Sequence, residues 1–123
     1  MIGRRVSVLL ACAALAACGG EGGAAAHAEC AGGAHPDLSV WAEHERLIGA
    51  TFTLTGVEPG RNWRVVVVHE GRVTWRGSAR AWRNGVLEVR RKLHDLPGAD
   101  RISVRAYGPG GATCSASARL ADV

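Results

Sequence analysis

From residue 47 to residue 120 the chain repeatedly alternates apolar and polar positions with a period of two, the spacing of a strand whose successive side chains point to opposite faces. Ile48, Ala50, Phe52 and Leu54 alternate with Thr51, Thr53 and Thr55. Ile102, Val104 and Ala106 alternate with Ser103, Arg105 and Tyr107, and Cys114, Ala116, Ala118 and Leu120 with Ser115, Ser117 and Arg119. A long 3.6-residue periodicity is missing. Strands are expected over 37–43, 47–55, 62–69, 72–77, 79–83, 86–93, 101–107 and 112–120, separated by turn chemistry at Glu58-Pro59-Gly60, Glu70-Gly71, Asn84-Gly85, Leu96-Pro97-Gly98 and Gly108-Pro109-Gly110-Gly111. Short strands with turns every ~8–12 residues predict an all-β sandwich or barrel.

The hairpin around Glu70-Gly71 decides what one face carries. A two-residue turn would put Val66 and Val68 beside Val73 and Trp75 and leave both faces mixed. A three-residue His69-Glu70-Gly71 loop, with Gly71 in the left-handed conformation of a bulge, gathers Trp63, Val65, Val67, Val73 and Trp75 on one face. That register is expected because it separates apolar from polar. It turns Arg64, Arg72 and Arg76 outward, joined by Arg105 and Tyr107 from the next-to-last strand and Arg119 from the last, with Glu70 as the nearby acid. This is a candidate anion-binding face. The alternative is a row of arginines that keeps a β-rich surface soluble.

Residues 1–18 have the parts of an export signal: Arg4 and Arg5, an apolar run from Val6 to Leu15, then small residues. The run is shorter than the ~20 residues needed for a membrane-spanning helix. The segment Leu15-Ala16-Ala17-Cys18 resembles the lipobox of bacterial lipoproteins. That resemblance implies cleavage before Cys18, diacylglyceryl on its thiol, and a domain held at the extracytoplasmic face of a cell membrane. The alternative is an ordinary secretory signal, cut near here or at Ala26-His27-Ala28, and a secreted product. Cys12 is a poorer lipid site because Leu10 stands where a small residue is wanted.

The chain thus divides into a signal peptide (1–17), a lipidated cysteine with a Gly/Ala tether too poor in apolar residues to order itself (18–29), and one domain (30–123). With Cys12 removed and Cys18 lipidated, Cys30 and Cys114 are left to pair in an oxidising compartment.

Segments such as LTGVEPGRNWRVVVVHEGRV and LEVRRKLHDLPGADRISVRA resemble bacterial Ig-like or fibronectin-type-III-like domains. The resemblance implies an antiparallel β-sandwich of about seven strands. It implies no activity, because such scaffolds carry many functions. Immunoglobulin domains usually bridge their second and sixth strands, whereas here the cysteines stand near the starts of the first and last. A parallel pairing of those two strands would bring both starts to one end.

Candidate chemistry is sparse. The serines lack G-x-S-x-G and S-x-x-K contexts, Lys92 is the sole lysine, and no His or Met follows Cys114 as a cupredoxin-type copper site requires. Glu43 and Glu45 flank His44, a pattern that also suits a solvated segment. His27, His35, His69 and His94 are scattered over the tether, turns and strand ends. Trp63 and Trp82 are expected in the core, Trp75 follows the hairpin register, and Trp41 is undetermined. No cofactor, metal or catalytic residue is assigned.

The formal net charge of +4 includes Arg4 and Arg5. Without them the chain is close to balanced, and no nucleic-acid motif accompanies the arginines. The expectation is a monomeric, non-catalytic, lipid-anchored module for binding or structural interactions at the cell envelope, with an envelope protein or an anionic envelope polymer as partner. The class-level alternative is an anchored or secreted enzyme or metal-binding protein on the same scaffold.

Overall fold

A computed structural model describes residues 22–23 and 27–121. Among the described residues nine strands form in chain order: β1 (Gly22–Gly23), β2 (His27–Cys30), β3 (His35–Ala42), β4 (Leu47–Thr55), β5 (Asn62–His69), β6 (Arg72–Arg80), β7 (Val86–His94), β8 (Asp100–Tyr107) and β9 (Thr113–Leu120). The helical content among the described residues is two single 3-10 turns, His44–Arg46 and Pro109–Gly111. No helix among these residues is long and apolar enough to cross a membrane.

The strands build two antiparallel sheets, ordered β1-β3-β4-β7 and β2-β9-β8-β5-β6. Taking the seven longer strands alone, three (β3, β4, β7) face four (β9, β8, β5, β6), an Ig-like sandwich of the fibronectin-III-like kind. Alternation explains the layers. Leu38, Val40, Ile48, Phe52, Leu54 and Leu87 point inward from the first sheet and Trp63, Val65, Val67, Ile102 and Val104 from the second. They close one apolar core between the layers.

Three local features differ from the sequence expectations. Strands expected at 72–77 and 79–83 are one strand, β6, because Gly77 and Ser78 continue the ladder opposite Val65 and Arg64. The chain leaves the sheet at Ala81, where residues 81–85 form a loop. Part of the segment 18–29, expected to be tether, is paired backbone: Gly22–Gly23 lie beside Val40 and Trp41, and His27–Cys30 run along β9. A ladder needs main-chain donors and acceptors but no large side chains, so small residues suffice there.

Cys30 lies directly opposite Cys114 in the register of β2 with β9, and a disulfide joins them. The expected pairing of the cysteines is present, but its geometry differs. The first segment runs antiparallel to the last strand, and the chain then crosses through 31–34 into the other sheet as β3.

Three tryptophans lie flat on glycines. Trp41 covers Gly49, its cross-strand neighbour; Trp75 covers Gly77, two residues along the same face; and Trp63 covers Gly108. A Cβ on any of these glycines would overlap the indole. The pairs let a large ring fold down onto bare backbone, an arrangement that also stiffens a glycine in a sheet.

The open edge between β6 and β7 is guarded. Arg91 occupies an inward position by the alternation Leu87, Val89, Arg91, Leu93, and its guanidinium lies 4.8 Å from the ring centre of Trp75. An inward charge on an edge strand opposes pairing with another sheet, while the cation–π contact satisfies the charge within the fold.

Candidate functional site

The candidate surface is the outer face of the second sheet, and the hairpin between β5 and β6 sets its composition. His69 stands opposite Arg72, so the turn has two residues, Glu70 and Gly71, both with positive φ (50° and 80°). This is the turn whose twist suits adjacent strands. A bulge then enters between Val67 and Val68, so that Val68 opposes Val73 but Val67 opposes Trp75. The irregularity expected at Gly71 thus sits further into β6, at Thr74. The Thr74 hydroxyl donates to the Val67 carbonyl at 3.2 Å.

That displacement divides the expected set. Trp75 joins Trp63, Val65 and Val67 toward the core as expected, and it is half-buried. Val73 does not follow, since it lies before the bulge, opposite Val68, and is 45% exposed. Arg72 also departs from the outer face, because its cross-strand partner is the inward-facing His69.

The remaining arginines assemble as expected and gain two members. Across the strands, Arg64 is in register with Ser78 on β6 and Tyr107 on β8. Val66 is in register with Arg76 and Arg105, and Arg105 in turn with Ser115 on β9. Arg101 opposes Arg119, and Arg80 opposes Asn62. Arg64, Arg76, Arg80, Arg101, Arg105 and Arg119 are all exposed. Alternation along β6 and β8 was the signal for Arg80 and Arg101. The 72–77/79–83 division hid the first, and a strand start at Arg101 obscured the second.

Few acids stand against these cations. Glu70 accepts a hydrogen bond from the Arg101 backbone N–H. Glu29, brought in by β2 beside Ser115, is the other acid on this face among the described residues. Arg64 lies over the Tyr107 ring at 5.1 Å, a cation–π contact on the outer face. Arg101 and Arg119, like charges directly opposite one another, cost stability in a sheet. Beside the disulfide, Glu29, Arg105, Tyr107, Thr113 and Ser115 line an open hollow of about 620 Å³. The outer face of the first sheet differs in sign pattern: its register rows carry Asp37, Glu88, Arg90 and Lys92 together.

Two side chains lie where the sequence reading did not put them. Trp82, expected in the core, is 69% exposed because it belongs to the 81–85 loop and not to a strand. His69, expected at the surface, is buried, with its Nε2 2.6 Å from Oδ1 of the equally buried Asp100. Alternation gave the signal for both members: His69 continues Trp63, Val65 and Val67, and Asp100 precedes Ile102 and Val104. The same Asp100 oxygen accepts the Leu96 N–H at 3.2 Å, tying the 95–99 loop to the sheet. Buried on both sides, this pair anchors structure and cannot reach a dissolved substrate.

Trp41, left undetermined by the sequence, is half-buried on the outer face of the first sheet, and its indole N–H donates to Glu43 at 2.5 Å. Glu43 is also 3.8 Å from Lys92, so this carboxylate serves local pairing. No grouping of three or more His, Cys, Asp or Glu side chains suited to a metal occurs among the described residues. Cys18 lies outside the described residues.

Comparison of the chain with family models, with curated proteins and with solved structures finds no match.

Proposed function

We propose that this protein is a bacterial envelope lipoprotein whose β-sandwich is a non-catalytic module for binding anionic envelope material. The signal-like residues 1–17 direct export, and lipid on Cys18 holds the module at the extracytoplasmic face of a membrane. Two acyl chains stabilise such attachment where one gives only reversible binding. The Cys30–Cys114 bridge supports an oxidising location.

The observation that carries the binding role is the single-signed outer face of the second sheet. Arg64, Arg76, Arg101, Arg105 and Arg119 stand on adjacent strands, on one side of a rigid ladder, with two acids at the margin. The summed field of cations ranked on one side of a sheet draws in polyanions. An anion placed between Arg101 and Arg119 relieves a repulsion that the fold itself retains.

The test combines Arg64→Gln, Arg76→Gln and Arg105→Gln. These side chains are exposed, so the variant retains the fold. Its binding to vesicles with anionic headgroups or to an anionic polymer is expected to fall at least tenfold. Equal binding by the variant and the parent excludes the face as the site.

A further inference from the structure

At the end of the sandwich formed by the 56–61, 81–85 and 108–112 loops, Trp82 presents an indole that is 69% exposed. The loop that carries it is not loose. The Trp82 N–H donates to the Val86 carbonyl at 2.9 Å, and the Gly85 N–H donates to the Trp82 carbonyl at 3.0 Å. The Ala81 N–H donates to the Arg61 carbonyl, the Gly60 N–H to the Ala81 carbonyl, and the Val57 N–H to the Gly85 carbonyl. Ala81 itself is buried. A large apolar ring is thus held out to solvent by a platform whose neighbours are fixed, which removes most of the ordering cost of binding.

Pro59, Gly60, Arg80, Ala81, Trp82 and Arg83 line an open hollow of about 580 Å³ beside the ring. No ion pair involves Arg80 or Arg83 among the described residues. The nearest acid of these loops, Glu58, is engaged with Arg61 at 3.4 Å.

We infer that this hollow binds an acidic polysaccharide, with the Trp82 ring stacked on the apolar face of a sugar and Arg80 and Arg83 paired with its carboxylate or phosphate groups. A flat indole beside guanidinium forks matches a ligand that is apolar on one face and anionic at its edge. An extended peptide is a poorer fit, because the amide donors of residues 60, 81, 82 and 85 are already satisfied within the loops and leave no ladder to extend. The ligand is a polymer because Arg80 belongs both to the hollow and to the cationic sheet face. Arg76 follows it ~13 Å along β6, so an acidic chain seated on Trp82 continues over that face.

The inference extends the function proposed above, and the geometry of the N-terminus gives it an orientation. β1 pairs with Val40 and Trp41, and β2 starts opposite Ser117, so the chain enters at the other end of the sandwich, beside the 43–46 and 95–99 loops. Gly22–Gly23 thus lie at the end of the sandwich opposite Trp82.

The experiment measures binding of the full-length protein in detergent to polygalacturonate, neutral dextran, poly-glutamate and polyphosphate. Polygalacturonate is expected to bind, to shift the tryptophan emission to the blue and to shield it from acrylamide. Trp82→Ala is expected to weaken that binding about tenfold, and Trp82→Phe to retain most of it. Trp82→Ala should leave polyphosphate binding and the urea midpoint unchanged, which separates this site from the sheet face. Unchanged polygalacturonate binding in Trp82→Ala overturns the inference. So does poly-glutamate binding that Trp82→Ala weakens equally, or a change in oligomeric state on that substitution, which would mean that a second copy covers the ring.

Discussion

Removing the disulfide with Cys30→Ser and Cys114→Ser together is expected to destabilise the domain globally. The bridge joins residues 84 apart and so encloses β3 through β8. In the chain-entropy account a loop of that length restricts the unfolded chain by about 4.5 kcal/mol at 25 °C. Small domains retain only about 5–15 kcal/mol in total, so the loss is a large fraction of it. With ~4–8 °C of melting temperature per kcal/mol for a domain of this size, the melting midpoint should fall by roughly 18–36 °C. Substituting both cysteines avoids a stray thiol. The assay is thermal and urea unfolding followed by tryptophan emission, with the oxidised parent as reference. The slope with urea should rise, because the unlinked unfolded chain is less compact and exposes more surface. A local alternative exists, since β2 is short and has only four register pairs with β9. If the bridge merely pins β2, the unfolding free energy will fall by less than about 1 kcal/mol while the amides of 27–30 and 113–117 lose protection from exchange. That result would refute the loop-closure reasoning.

Other perturbations test the packing and the address. Asp100→Ala leaves His69 buried without its partner and frees the Leu96 N–H, which should cost about 1–3 kcal/mol by urea titration, whereas His69→Ala in the same background should cost much less than it does alone. Gly77→Ala places a methyl into the Trp75 ring and should destabilise by about 1–3 kcal/mol, with red-shifted emission as the indole is displaced. Arg91→Val removes the inward charge from the β7 edge and should raise aggregation, read by light scattering, with little change in monomer stability. Cys18→Ser should abolish incorporation of labelled fatty acid, and unchanged labelling contradicts lipidation at that thiol.

Much of the sandwich was legible because period-two alternation and turn residues are local signals. β4, β5 and β9 fall within a residue of their expected spans. What escaped depended on tertiary context. The bulge at Thr74 cannot be told from one at Gly71 by composition, since both put Trp75 on the face of Val65 and Val67; the cross-strand partners of Arg72, Val73 and Trp75 distinguish them. Trp82 looked like core because the strand was extended past Ala81, where main-chain bonds to Arg61 and Gly60 pull the chain out of the sheet. His69 and Asp100 were passed over because a buried ionisable pair is recognised by its partner, and the partners lie 31 residues apart. On the candidate face, Arg64, Arg105, Tyr107 and Arg119 were readable from alternation, and Arg76 from alternation together with a bulge in the hairpin. Glu29 was not, because nothing in a Gly/Ala-rich segment announces that its backbone will join an edge.

The most direct test of the proposed binding role is the salt dependence of polyphosphate binding by the full-length protein. The affinity is measured from about 50 to about 300 mM salt, over which the screening length shortens from roughly 14 to 6 Å. If the arginine face is the site, affinity falls steeply and linearly on a log–log plot, and Arg64→Gln, Arg76→Gln and Arg105→Gln together flatten the slope. Binding that ignores salt, or a triple variant with the parent's slope, contradicts it.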